Sequence, residues 1–115
     1  MISLRKIYNF FIFKIIFIYL KTRGIKISFQ SKFHSFPKLK INGLPGNIEI
    51  GSIEVLGTID LRNRENGKII LEDKVKIESE CRFVSAREGT VKVGKGTIIT
   101  KGAVINGGGN VIIGE

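Results

Sequence analysis

Branched apolar residues recur every six positions in the C-terminal half of the chain. Val93, Ile99 and Ile105 follow this step, and a small residue, Thr97 or Ala103, stands four positions after each of the first two. On an α-helix a step of six rotates the side chain by about 240°, so the three residues would share no face. On extended chain, where side chains alternate with a period of two, all three point to the same side. The pattern therefore predicts short strands around a common interior.

The same step occurs earlier in the chain. Leu71, Ile77 and Phe83 are six residues apart, and Val75 and Cys81 occupy the small positions. Cys81 is the only cysteine, which excludes an internal disulfide and a zinc cluster built on thiolates. Its place in the series predicts a small buried residue rather than a reactive thiol.

A longer repeat surrounds these two series. Similar segments begin with IEIGS at 48, IILED at 69, VKVGK at 91 and VIIGE at 111, which are 21, 22 and 20 residues apart. Three sides of six residues account for most of each interval, and hydrophilic segments such as RNRENGK supply corners. Stacked coils of this kind pair as parallel strands about 4.8 Å apart. The residues predicted to lead the interior series are Ile50, Leu71, Ile77, Phe83, Val93, Ile99, Ile105 and Ile113.

These patterns predict a mainly β chain built on a parallel β-helix of about three coils, over residues 48–115. Residues 25–47 are expected to form a lead-in segment, and residues 1–24 a basic amphipathic α-helix. Periodicity alone leaves the hand of the coil open, because left-handed and right-handed β-helices can both bury such series.

The N-terminal segment MISLRKIYNFFIFKIIFIYLKTRG is the most apolar stretch of the chain. Fourteen residues separate Lys6 from Lys21, and Lys14 interrupts them, whereas a membrane span needs about 20 apolar residues. On a helix the lysines gather on one stripe and the phenylalanines lie mostly outside it. Gly24 is placed to end the helix.

Such a helix suits the plane of a membrane interface, with rings in the acyl boundary and lysines at anionic headgroups. Alternatives are a helix packed on the protein's own core or on a sister subunit. Nucleic acid is disfavoured as a partner, since the basic residues alternate with bulky apolar groups. The residues predicted to contact the membrane are Arg5, Lys6, Phe10, Phe13, Lys14, Phe17 and Lys21.

The charge distribution agrees with an anionic partner for the N-terminal arm. The net charge is +9, and residues 1–40 hold nine basic residues and no acidic one, since Glu49 is the first acidic residue. The remaining basic and acidic residues cancel. The excess of positive charge therefore belongs to the arm rather than to the repeats.

The tandem hexads carry a resemblance to a known family. Val93-Gly94-Lys95-Gly96-Thr97-Ile98, Ile99-Thr100-Lys101-Gly102-Ala103-Val104 and the pairs Ile50-Gly51 and Ile113-Gly114 resemble the hexapeptide-repeat acyltransferases. The segment RGIKISFQSKFHSFPKLKI resembles the corresponding part of sugar O-acetyltransferases of cell-surface polysaccharide synthesis. The resemblance covers about residues 24–115.

The resemblance implies a left-handed parallel β-helix, a homotrimer, and acetyl-CoA as acyl donor to a sugar or lipid-linked glycan. With the basic helix, it implies a peripheral location at the inner face of the cytoplasmic membrane. In that family a histidine on a later coil acts as general base. No residue in 48–115 matches it, and His34, the only histidine, precedes the repeats. We therefore identify no catalytic residue, no coenzyme-binding residue and no metal ligand.

Two further expectations concern the end of the chain. VIIGE begins a coil that the sequence does not complete, so we expect an incomplete and inactive N-terminal portion of an enzyme, or an end covered by another copy or by the N-terminal helix. The alternative function is a non-enzymatic, membrane-associated β-solenoid scaffold that polymerises end to end; a product without any role is a third possibility.

Overall fold

The structure is a computed structural model that describes residues 4–87, 89–107 and 110–114. One N-terminal helix precedes a mainly β domain in which parallel strands wind into a β-helix of the left-handed type with about four coils. Helix α1 spans Leu4–Thr22. The strands of the first two coils are β1 (Lys26–Ile27), β2 (Lys32–Phe33), β3 (Lys38–Gly43), β4 (Ile48–Ile50), β5 (Glu54–Val55) and β6 (Ile59–Glu65).

The later coils repeat the same order of three short strands. They comprise β7 (Lys68–Leu71), β8 (Lys76–Ile77), β9 (Cys81–Ser85), β10 (Thr90–Val93), β11 (Ile98–Ile99), β12 (Val104–Gly107) and β13 (Val111–Ile113). A short 3₁₀ turn, Pro45–Asn47, joins the first coil to the second. The three sides of the solenoid are sheet A (β1, β4, β7, β10, β13), sheet B (β2, β5, β8, β11) and sheet C (β3, β6, β9, β12).

Strand register confirms the predicted long repeat. Ile48 pairs with Ile69, Ile69 with Val91, and Val91 with Val111, so the coils advance by the same intervals that the sequence shows. Every pairing between described strands is parallel, because each strand lies one full coil from its neighbour.

The solenoid begins earlier than the sequence analysis placed it. Residues 25–47, expected to be a lead-in, contain the three strands of the first coil, and so the described chain has four coils rather than three. The six-residue step is present here as well, at Ile27, Phe33 and Leu39. Ser31 and Pro37 occupy the small positions of this series, and both are buried. The hydroxyl group of Ser31 makes the series less apolar than the later ones.

Corner conformations repeat with the coil. Positive φ angles occur at Glu65 and Arg87 between sheets C and A, and at Glu80 and Gly102 between sheets B and C. Each pair is one 22-residue coil apart. The two corners of each pair thus share one backbone geometry. Of these four residues only Gly102 is a glycine, which adopts a positive φ without strain.

The interior is mostly apolar, and the buried polar residues of the described chain are Ser31 beside sheet B and Asn63 and Ser85 in sheet C. Of the residues predicted to face inward, Ile50, Leu71, Ile77, Phe83, Val93 and Ile99 are buried. Ile105 and Ile113 pack against the same cluster but are only half-buried. These two lie in β12 and β13, which have a paired neighbour on one side only among the described strands.

Helix α1 packs on the first coil next to β1 and β2. Its residues Ile16 and Leu20 are fully buried in the same cluster as Ile25 and Phe33. The inward residues of the first coil are therefore shielded, in contrast to their counterparts in the fourth. Burying two such side chains contributes about 1.5–3 kcal/mol each.

The junction between helix and solenoid is a glycine-containing cap. Gly24 has φ 88, its N–H donates to the Lys21 carbonyl at 3.1 Å, and the Ile25 N–H donates to the Leu20 carbonyl at 3.2 Å. This pair of hydrogen bonds is a Schellman motif, and the buried side chains of Ile25 and Leu20 supply its apolar contact. The cap fixes the direction in which the helix leaves the first coil.

Candidate membrane-contacting surface and adjacent groove

The side of α1 that faces away from the solenoid is apolar and exposed. At 100° per residue its side chains fall within a sector of about 100°. We call this surface the outer stripe. It consists of Leu4, Ile7, Tyr8, Phe11, Ile15 and Ile18, each more than two-fifths exposed.

Cationic residues border the outer stripe on both sides. Lys14 and Lys21 lie along one edge, and Arg5 lies beyond the other, while Lys6 is nearly on the opposite side of the helix and Arg23 follows its last residue, Thr22. No acidic residue occurs in α1. An apolar strip with cations beside it and no acidic residue matches an anionic membrane surface, into which the strip inserts while the cations stay at headgroup level.

The residues that were predicted to contact the membrane fall into two groups, one exposed and one packed against the solenoid. Arg5, Lys6, Phe10 and Lys21 are exposed. Phe13 and Phe17 instead lie on the side of the helix that meets the solenoid, with Phe13 packed edge to face against His34 and Phe17 against Phe29. The physical reason is that α1 is apolar nearly all round, so the first coil takes one face and leaves the opposite one exposed.

Lys14 is held at the boundary between helix and solenoid. Its Nζ lies 3.2 Å from the centroid of the Phe29 ring and 5.5 Å from that of Phe10. Contacts of an ammonium group with aromatic faces are attractive and hold the group in place. Lys14 therefore presents a positive charge next to two exposed rings rather than extending freely into solvent.

A groove of about 610 Å³ lies between α1 and the solenoid. Phe10, Phe13 and Lys14 form its helix wall. The opposite wall has three steps, residues 30–32, 52–54 and 74–76, which are equivalent positions in successive coils. Sequence analysis did not identify this groove, although the repeat places these three steps in register, because nothing in the sequence shows where the helix lies.

His34 forms a pair with an acidic neighbour. Its Nε2 lies 3.1 Å from Oε2 of Glu54, and both side chains are partly exposed. The pair stands on the outside of sheet B beside Phe13. His34 is thus held by a carboxylate on one side and a ring on the other, at the edge of the groove that Glu54 and Phe13 line.

The outer surface of sheet C carries a fixed cluster of charges. Arg62 donates two hydrogen bonds of 3.1 Å to the carboxylate of Asp60, and Nε of Arg82 lies 3.6 Å from the same carboxylate. The hydrogen bonds to Asp60 raise the pKa of Arg62 above its ordinary value.

No protein-family model, curated protein or solved structure matches this chain. Within the described ranges, no group of three His, Cys, Asp or Glu side chains is arranged to hold a metal ion. Among those same residues, no helix has the length and apolar character needed to cross a bilayer.

Proposed function

We propose that the protein is part of a membrane-surface-bound O-acetyltransferase that uses acetyl-CoA to modify sugars of an envelope polysaccharide or lipopolysaccharide, and that this chain is inactive by itself because its repeats carry no histidine to act as general base. The hexad repeats and the solenoid they form support the acyl-transfer part through their resemblance to the hexapeptide-repeat acyltransferases. The outer stripe with its cationic borders is the observation that carries the membrane part. Acetyl-CoA is a cytoplasmic substrate, so the protein would act at the inner face of the membrane, as a homotrimer.

Charge complementarity favours a membrane over a second copy of the helix as the partner of the outer stripe. Two such helices packed face to face would bring their cationic borders together without an acidic residue in either helix to offset them. Anionic headgroups would instead neutralise both borders. The helix is also attached firmly to the solenoid through Ile16 and Leu20, so insertion of the stripe would hold the whole domain at the surface.

Vesicle flotation tests this attachment. Phe11→Glu combined with Ile15→Glu is expected to lower binding to vesicles of phosphatidylcholine with phosphatidylglycerol by at least about 100-fold, because each lost apolar insertion is worth roughly 2 kcal/mol. The matched control is Ile98→Glu with Ile112→Glu, which alters two equally exposed residues on the last strands. Equal loss in both double variants would contradict a specific role for the stripe. Loss of a dimer without loss of vesicle binding would assign the stripe to a second copy.

Acetyl transfer is tested in the native cell, where the protein has its own acceptor. Deletion of the gene is expected to remove O-acetyl groups from an envelope glycan, which proton NMR of the isolated polysaccharide detects. The unaltered gene should restore the acetyl groups, and the Phe11→Glu, Ile15→Glu gene should restore few. Unchanged acetylation after deletion would contradict the enzymatic proposal.

The second candidate is a scaffold that polymerises end to end. The inward apolar residues Ile105, Val111 and Ile113 of the last described strands favour it, because they are only half-buried and a further coil would cover them. Helix α1 disfavours it, because a head-to-tail filament needs the first coil open, and Ile16 and Leu20 cover that coil. Negative-stain electron microscopy distinguishes the two: filaments support the scaffold, and discrete trimers support the enzyme.

A further inference from the structure

The groove beside α1 is strongly cationic. Lys14 contributes one ammonium group from the helix, and three exposed lysines, Lys32, Lys74 and Lys76, contribute three from the solenoid steps. Among the described residues that line it, Glu54 alone carries a carboxylate, and its Oε2 lies 3.1 Å from Nε2 of His34. A second carboxylate, that of Asp73, accepts a hydrogen bond of 2.8 Å from the backbone N–H of Ser52 beside this lining. Four cations and one carboxylate line this groove, so a bound anion would relieve the mutual repulsion of the lysines.

The mouth of the groove is aromatic and continuous with the outer stripe. The rings of Phe10 and Phe29 are 57% and 59% exposed. Phe10 contacts Phe11, a member of the stripe, edge to face with 5.7 Å between centroids. A path of exposed apolar surface therefore leads from the cationic groove onto the face of the helix that meets the membrane. An occupant with an anionic head and an apolar chain would match both parts.

The floor of the groove offers neutral polar groups. Ser52 Oγ lies 3.3 Å from Oε1 of Gln30 and 3.1 Å from Oγ of Ser28. Ser31 also lines the groove, and its buried hydroxyl has no hydrogen-bond partner in the part of the chain that the structure describes. In the equivalent positions of the next two coils stand Ile53 and Val75. Only the first step thus has a polar residue at this inward position. Because the Ser31 hydroxyl is buried there, the polar groups that the groove offers to a ligand are those of Gln30 and Ser52.

We propose that this groove binds the phosphate headgroup of one anionic lipid, whose acyl chain passes over Phe10 to the outer stripe. Lys32, Lys74 and Lys76 surround the phosphate, and Lys14 closes the site from the helix. This inference rests on the proposed membrane attachment and adds to it a defined lipid site, because the phosphate is held between helix and solenoid rather than in the diffuse field of the arm.

The test uses a lipid that remains monomeric in water. The whole protein is titrated with dihexanoyl phosphatidic acid below its critical micelle concentration, and binding is followed by NMR shifts of backbone amides. The groove variant carries Lys32→Gln, Lys74→Asn and Lys76→Gln; asparagine is chosen at 74 because Lys74 has φ 64, which asparagine tolerates. The matched control carries Lys68→Gln, Lys95→Gln and Lys101→Gln, three exposed lysines outside the groove.

We expect saturable binding by the wild type, with the largest shifts in residues 30–32, 52–54 and 74–76. The groove variant should bind at least 10-fold more weakly, since one lysine near an anionic headgroup is worth about fivefold. The control variant should bind within about threefold of the wild type. Equal weakening in both variants would overturn the proposal, because charge alone would then explain the binding.

Two further measurements distinguish a lipid from free phosphate as the ligand, and the groove site from the outer stripe. Inorganic phosphate at the same concentration should bind much more weakly; equal binding would overturn the assignment to a lipid. Absence of binding to the short-chain lipid, with vesicle flotation intact, would overturn the groove site and leave the outer stripe standing. Loss of flotation in the stripe variant does not affect the groove titration, so the two proposals fail separately.

Discussion

Gly67 lies where the backbone of the next coil passes closest to it. A Cβ at this position would stand 2.6 Å from the carbonyl carbon and oxygen of Ser85 and 2.9 Å from the nitrogen of Ala86. These are backbone atoms in a paired coil, so they cannot move without disturbing the register. The corner between sheets C and A therefore depends on the absence of a side chain at residue 67.

Gly67→Ala is expected to lower the free energy of unfolding by about 1–3 kcal/mol, the usual cost of overpacking. Urea denaturation followed by circular dichroism measures it. Gly46→Ala is the matched control, because its added Cβ would meet nothing closer than Lys26 Cε at 4.0 Å. Similar stabilities of the two variants would contradict the close approach at Gly67.

Asn63 connects two coils at the same corner. It is fully buried, and its Nδ2 donates to the carbonyl of Leu44 at 3.0 Å and to that of Gly67 at 3.5 Å. Ser85 occupies the paired position of the next coil and donates to the Gly89 carbonyl at 2.8 Å. Buried side chains thus satisfy carbonyls that the turns leave without a strand partner.

Asn63→Ala should destabilise the protein by about 2 kcal/mol, since it leaves the Leu44 carbonyl without this partner and opens a small cavity. Asn42→Ala changes the same residue type at an exposed position of sheet C and should change stability by less than about 0.5 kcal/mol. Thermal unfolding of both variants provides the comparison. A small effect at Asn63 would show that water replaces its amide without cost.

At the scale of elements, the helix is a structural part of the solenoid as well as a surface. Ile16 is fully buried and Ile18, two residues on, is 58% exposed. Ile16→Ala should therefore lower the free energy of unfolding by about 2–4 kcal/mol, whereas Ile18→Ala should leave it nearly unchanged without lipid. Denaturation in detergent-free buffer measures both. Equal effects would mean that the helix is not docked as described.

The sequence predicted the coil itself well and the helix only in part. The six-residue step and the intervals of 21, 22 and 20 residues reappear as strand register, because burial on one side of extended chain leaves a period that is visible in sequence. The first coil escaped detection because Ser31 and Pro37 interrupt its apolar series. A search for the step at Ile27, Phe33 and Leu39 would have found it.

The faces of the helix could not be assigned from sequence for a different reason. Apolar residues occur on nearly every side of α1, so periodicity does not distinguish the face that meets the solenoid from the one that meets a partner. Tertiary contacts of Phe13 with His34 and of Phe17 with Phe29 decide it. The groove follows from the same contacts, and its cations lie far apart in sequence.

At the scale of the whole molecule, stability should vary along the solenoid axis. Each coil contacts only its neighbours, and the strands of the second and third coils are paired on both sides, whereas β11 and β12 lack a partner on one side among the described strands. Amides of β7, β8 and β9 should therefore exchange with deuterium more slowly than those of β11 and β12. Exchange mass spectrometry at neutral pH measures this order, and uniform protection would contradict it.

The repeated corner geometry also bears on how such a gene can change in length. Glu65 and Arg87, or Glu80 and Gly102, adopt matching backbone conformations one coil apart, so a deletion of one whole coil rejoins compatible ends, while a deletion of ten residues does not. Deletions within the repeats are therefore expected to preserve the fold only when they remove a whole coil. Deletion of the third coil would bring Gly96 and Ile98 to the positions of Lys74 and Lys76. The solenoid would be preserved, but the groove beside α1 would lose two of its lysines.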